Sequence, residues 1–112
     1  MKDYTVYLKD IIKNIKLSQQ FIEGLDFEDF IADDKTTYAV IRCLEIIGEA
    51  TKRLPVTLRS QYTDVPWKSM TGARDFLAHD YASVIMKKVW QMVKHDLPEL
   101  KLQIRKILAD LK

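Results

Sequence analysis

Apolar residues recur at three- and four-residue intervals through nearly the whole of this chain, and little interrupts them. Tyr4, Leu8, Ile11, Ile15 and Ile22 open the series, and Tyr7 and Ile12 widen the stripe. That spacing puts side chains on one face of a helix. A half-buried strand needs alternation in twos, which no long segment offers. Three Gly and three Pro are all the punctuation in 112 residues. The expected fold is therefore all-α: an antiparallel helical bundle of four to five helices, with residues 1–112 forming one domain.

The punctuation also predicts boundaries. A first helix runs from about Asp3 to Gly24, the glycine serving as its stop. Asp26 to Ile31 reads as a short helical turn carrying Phe27, Phe30 and Ile31 into the core. Asp33 or Asp34 caps a second long helix from Lys35 to Leu54, ended by Pro55. Its stripe is Val40, Leu44, Ile47 and Leu54, with Ile41 and Ile46 partly off it. That width suits contact with several helices or a second subunit. Gly48 inside this helix is costly and points to close approach of another helix. Pro55 to Tyr62 forms a short helix, followed by a loop through Thr63, Asp64 and Pro66. Trp67 to His79 is the next helix, burying Met70, Ala73 and Leu77 with Phe76 beside them. Gly72 lets that helix pack closely or bend. Asp80 to Ser83 breaks the pattern, and Val84 to His95 resumes it with Val89, Trp90 and Val93. Asp96 caps the last helix, with Pro98 in its first turn. Leu97, Leu100, Ile104, Ile107, Leu108 and Leu111 give that helix its apolar face.

Composition excludes more than it selects. Hydrophobic residues make up 47% and charged residues 30%, as in ordinary soluble domains. A net charge of +2 does not by itself announce a nucleic-acid binder. Lys52, Arg53, Arg59, Lys68, Arg74, Lys87 and Lys88 are grouped in mid-chain, either as a basic face or as a solvated surface. Cys43 is the only cysteine, so no internal disulfide forms, and its apolar neighbours suggest a buried, inert thiol. No signal peptide or membrane-length apolar run is visible, so the expected location is cytoplasmic, with no membrane partner. Two His and one Cys, without H-x-x-x-H or C-x-x-C spacing, supply no evident metal site. Chemistry without metal or cofactor is expected.

That chemistry is concentrated in Gly72-Ala73-Arg74-Asp75-Phe76-Leu77-Ala78-His79-Asp80-Tyr81. Histidine exchanges a proton near neutral pH. Arginine keeps its proton, and its planar fork matches phosphate oxygens. A proton shuttle beside a phosphate clamp suits phosphodiester cleavage. Asp75 and His79 stand at i and i+4 and can touch, so Asp75 can fix the imidazole tautomer. Arg74 lies about 140° around an ideal helix from His79. The two meet through the long arginine stem or across a subunit interface. The plainer alternative is a surface Asp75–His79 pair worth a few tenths of a kcal/mol. Glu45 and Glu49, also i and i+4, can serve as an acid–base pair. They can equally hold Arg42, Lys52, Arg53 or Arg74 in place. Trp67 and Trp90 are either base-stacking platforms or, more commonly at such spacing, core. His95, before Asp96, reads as structural.

Arg74 through Tyr81 resembles the R-x-x-x-x-H-x-Y signature of HepT toxins, members of the HEPN superfamily of ribonucleases. Arg42-Cys43-Leu44-Glu45-Ile46-Ile47-Gly48-Glu49-Ala50 resembles that family's R-x-L-E-I-I-G-E-A helix. Val65-Pro66-Trp67-Lys68 resembles its I-P-W entry to the motif helix. Val89-Trp90, followed by Asp96-Leu97-Pro98-Glu99-Leu100, resembles its V-W…D-L-P-x-L ending. Position 75 is Asp where many members carry Asn.

The resemblance implies a HEPN-like homodimer whose two motif helices form one RNA cleft. It implies an endoribonuclease toxin of a type VII toxin–antitoxin pair, independent of metal. Arg74 and His79 would be catalytic, with Asp75 orienting one of them. The implied partner, besides RNA, is a minimal nucleotidyltransferase (MNT) antitoxin that moves AMP from ATP onto Tyr81. Without the resemblance, Tyr81 reads as a packed ring with a hydrogen-bonded hydroxyl. The rival from another class is a non-catalytic helical module, in which the motif builds a dimer interface or docks the nucleotidyltransferase.

Overall fold

A computed structural model describes residues 3–78 and 83–111, and the side chains of 3–72 and 86–111. Helix α1 is Thr5–Phe21, α2 Phe27–Ala32, α3 Asp34–Arg53, α4 Val56–Arg59, α5 Trp67–Ala78, α6 Ser83–Gln91 and α7 Leu97–Asp110. A π-helical turn, Met92–Asp96, joins α6 to α7. The described residues contain no strand, and the architecture is the all-α bundle that the periodicity demands. No described helix is long and apolar enough to cross a membrane.

α3 stands between α1 and α5 and packs on both, while α1 also packs on α7. The expected stripes meet in one core. Leu8, Ile11 and Ile15 of α1 face Val40, Leu44 and Ile47 of α3 and Leu100, Ile104 and Ile107 of α7, all buried. Phe30 brings α2 into this core with no exposed surface, but Ile31 stays 38% exposed. A six-residue helix presents too narrow a face to bury both neighbours. Leu111, at the end of α7, is likewise exposed rather than part of the apolar face.

The polar signals at helix ends resolve into specific bonds. Asp33, rather than Asp34, caps α3: its carboxylate accepts from the Thr36 backbone N–H at 3.4 Å and from the Thr36 hydroxyl at 2.7 Å. Those bonds, the hydroxyl's first, hold the Asp33 carboxyl below the usual carboxylate range. The cap is therefore fully in place above the ordinary carboxylate pKa and is lost as pH falls through the lowered one. Asp26 and Asp29 form a reciprocal capping box on α2. Four polar residues inside the core, Asn14, Ser18, Thr37 and Thr51, each donate to a carbonyl of their own helix at 2.7–3.0 Å. The three hydroxyls thereby have their donors met, and the Asn14 amide places one of its two N–H groups on its own helix.

The junction at Asp96 departs from expectation. Asp96 has helical backbone angles and makes no side-chain cap, so α6, the π turn and α7 run on without a break. Pro98 supplies the reason. A proline inside an α-helix lacks the N–H and clashes with the carbonyl four residues back. Here the Leu97 N–H bonds to the Met92 carbonyl, five residues back. The extra residue in that turn lets the helix pass a proline that would otherwise end it.

Gly48 is buried within α3, while Gly24 and Gly72 behave oppositely to each other. Gly24 has φ +80° and stops the chain after α1. Gly72 sits within α5, where an added Cβ would meet no described atom within 4 Å. The described residues therefore leave room for a methyl group there. Gly72→Ala should stabilise the protein by about 0.5–1 kcal/mol through helix propensity. Gly24→Ala should destabilise it by about 1–2 kcal/mol, the cost of left-handed backbone for a residue with Cβ. Denaturant midpoints of the two variants should move in opposite directions.

Candidate active site

The motif helix is aimed from its N-terminal end. Val65 is buried, and the Met70 N–H bonds to the Pro66 carbonyl at 3.1 Å to close the first turn. The Trp67 indole N–H donates to the carbonyls of Arg59 and Tyr62, both at 2.9 Å. One side chain thus ties the end of α4 and the loop after it to the first residue of α5. Gln103 on α7 donates to the Asp64 carbonyl at 3.1 Å, holding the same loop from the other side. The Tyr62 hydroxyl donates to Asp110 at 2.9 Å, closing the loop onto the end of α7. Met70 is buried against α3, which sets how α5 lies in the bundle.

Trp67 is thereby a structural anchor rather than a platform for bases. Trp90 is one as well: its ring lies 5.2 Å from Phe30 and 6.1 Å from Phe27, centroid to centroid, beneath α2. Trp67→Phe keeps most of the packing and removes the forked N–H. It should cost about 1 kcal/mol, read as a lower denaturant midpoint.

Arg74 and Asp75 lie on the backbone of the second half of α5, which is described to Ala78. Their side chains, and the whole of His79 and Tyr81, lie outside the described residues. So do the expected helix end at His79, residues 80–82 of the break expected at Asp80 to Ser83, and the burial of Ala73, Phe76 and Leu77; Ser83, expected in that break, is instead the first residue of α6. The four motif residues therefore keep the roles that sequence gives them as expectations.

The described surroundings narrow the alternatives. Arg42 on α3 lies 3.7 Å from both Glu45 and Glu49. Those carboxylates are joined through one arginine on a largely exposed face, a surface cluster worth at most about 1 kcal/mol. That is the positional role rather than an acid–base pair. Cys43 is buried, and burial pushes its thiol pKa up, away from the reactive thiolate. A cavity of about 350 Å³ opens beside α5, between α3 and α7, with Met70, Met92 and Leu97 among its walls. Asp64, Asp96 and Glu99 also line it, so its charge is wrong for a phosphate. Among the described residues, no group of three or more His, Cys, Asp or Glu comes together as a metal site would require.

Lys52, Arg53, Lys68, Lys87 and Lys88 are exposed on α3, α5 and α6, whereas the Arg59 Nε–H donates to the Leu54 carbonyl at 3.2 Å. A further set of cations, which the mid-chain grouping misses, lies between α1 and α7: Lys9, Lys13, Lys16 and Arg105 line one groove. The i, i+4, i+7 spacing of the lysines on α1 is the sequence signal for it.

A family model described as "Ribonuclease HepT-like" matches residues 11–107. The chain is 44% identical over 101 residues to "Probable ribonuclease HepT" of Thermococcus cleftensis, covering 90% of this chain and 92% of that protein. It is 40% identical over 110 residues to "Putative RNase MJ0125" of Methanocaldococcus jannaschii, covering 98% and 95%. "Putative RNase TTE0752" of Caldanaerobacter subterraneus subsp. tengcongensis is 40% identical over 108 residues, covering 96% of each chain. No solved structure matches the chain.

Proposed function

Since the chain belongs to the HepT-like ribonuclease family, we propose that it is a metal-independent endoribonuclease toxin whose cutting site is Arg74 and His79, oriented by Asp75. The observation that carries this reading is the R-x-x-x-x-H-x-Y pattern of residues 74–81, which begins on α5, within the stretch that matches the family. The substrate is RNA because the ribose 2′-hydroxyl is the nucleophile. Its oxygen attacks the adjacent phosphorus as the bond from phosphorus to the 5′-oxygen breaks. The 2′-hydroxyl proton leaves to a base, and the departing 5′-oxygen takes up a proton. The products are a 2′,3′-cyclic phosphate and a 5′-hydroxyl. His79 carries one of these two proton transfers, and Arg74 stabilises the charge that grows on the phosphate. Two copies of the chain pair through their motif helices to form one cleft. The chain acts in a type VII toxin–antitoxin pair, where an MNT nucleotidyltransferase silences it by transferring AMP to Tyr81.

Purified protein incubated with unmodified RNA and excess EDTA tests the chemistry. Cleavage should continue, the new ends should be cyclic phosphates, and 2′-O-methyl RNA should stay intact. Cutting that stops with chelator and returns with Mg²⁺, or cutting of 2′-O-methyl RNA, would sink the mechanism.

A further inference from the structure

The groove between α1 and α7 is a second basic feature, and no described α5 side chain lines it. The Lys101 ammonium donates to Gln19 at 3.1 Å, joining the end of α1 to the first half of α7. Next to that contact the two helices flank a groove of about 510 Å³ lined by Lys9, Lys13, Lys16 and Arg105, with no acid among the described lining residues. The three lysines and Arg105 are exposed, whereas Ile12, Leu17 and Leu108 form a half-buried apolar floor. Lys13 and Lys16 lie about 6 and 10 Å from Lys9 along the helix axis. Among the described residues, both ion pairs belong to Arg42 and neither involves a groove cation. Lys9 acts on Asp3 through its field, but the Asp3 carboxylate already accepts the Thr5 N–H and hydroxyl. The four groove cations exceed the whole chain's net charge of +2, so the rest of the surface is net acidic. Four like charges along one groove make it a place where a polyanion is attracted.

We propose that the α1/α7 groove is a docking track for the phosphate backbone of single-stranded RNA, distinct from the cleft that cuts it. The inference rests on the nuclease reading for the identity of the polyanion. The shape favours a strand over a bilayer. Membrane-surface helices push an apolar face outward beneath their cations, whereas here the apolar residues are recessed between two helices. A row of cations above an apolar floor is the pattern of sequence-tolerant single-strand binding, in which charge follows the backbone and sugars or bases rest on carbon.

Binding is measured by fluorescence anisotropy with a 2′-O-methyl oligouridine of about twenty nucleotides, longer than one single-strand groove occupies. The 2′-O-methyl probe separates binding from cutting. Lys13→Gln/Lys16→Gln should weaken binding on the order of tenfold near 0.1 M salt. It should also reduce the salt slope by about 1.4, at about 0.7 for each phosphate no longer neutralised. Lys35→Gln/Lys94→Gln removes the same charge from exposed positions outside the groove and should change binding less than about twofold. Equal effects of the two variants, or no effect of the first, overturn the proposal. So does groove-dependent capture by phosphatidylserine vesicles with RNA binding unchanged. Cleavage of unmodified RNA is scored separately. A wild-type protein that cuts nothing but binds RNA through Lys13 and Lys16 defeats the nuclease reading and keeps the track. A nuclease whose binding ignores the groove does the reverse.

Discussion

His79→Ala should reduce RNA cleavage by about a hundred- to ten-thousand-fold, the range that a positioned acid or base contributes. Arg74→Ala should cost about a hundred- to a thousandfold, as removal of a donor to developing oxyanion charge does elsewhere. The two losses should not multiply in the double variant, because both residues act on one phosphate in one step. Arg74→Lys should recover only part of the rate: it restores the charge but not the planar fork. Both single variants should remain folded, since the described core, built mainly from α1, α3 and α7 with Met70 and Trp67 reaching in from α5, includes neither residue. Single-turnover cleavage alongside a denaturation curve makes the separation. A folded His79→Ala protein that cuts at the wild-type rate would remove His79 from the chemistry, leaving the helical docking module as the better account.

Sequence periodicity revealed the bundle because each long helix buries a stripe wide enough to register at three- and four-residue spacing. Leu8, Ile11 and Ile15 on α1, and Val40, Leu44 and Ile47 on α3, are buried as that spacing predicts. It failed where polar residues satisfy themselves locally. Ser18 and Thr51 fall outside any apolar stripe, yet both are fully buried, and each hydroxyl donates to a carbonyl in the preceding turn of its own helix. It failed again at Asp96, where an acid before Leu-Pro reads as a cap. The π turn removes the need for one by carrying the helix past Pro98. The site was legible as a motif, because Arg74, Asp75 and His79 carry their chemistry in residue type and order. The α1/α7 groove was less legible: its fourth cation, Arg105, joins three lysines from the other end of the chain only through folding.

Co-expression with an MNT nucleotidyltransferase should raise the intact mass of the chain by one or more AMP residues and abolish its toxicity, with Tyr81 as the acceptor. The transfer balances simply: the tyrosine oxygen attacks the α-phosphorus of ATP, the bond to the β-phosphate bridge breaks, and pyrophosphate leaves with the hydroxyl proton lost to solvent. Tyr81 stands two residues after His79 and seven after Arg74. A phosphodiester placed there brings a bulky anion to the segment that would hold the scissile phosphate. It would compete for Arg74 and repel the incoming RNA backbone, by the same charge logic that lets phosphorylation close a site. Tyr81→Phe should therefore escape both the mass increase and the silencing. It should stay toxic, because the proposed cut assigns the phenol no proton. Intact-mass spectrometry and growth of the same cultures decide the point together. An unshifted mass in cells that nevertheless survive would mean that the antitoxin acts by binding alone, and Tyr81 would then be a packing residue rather than a switch.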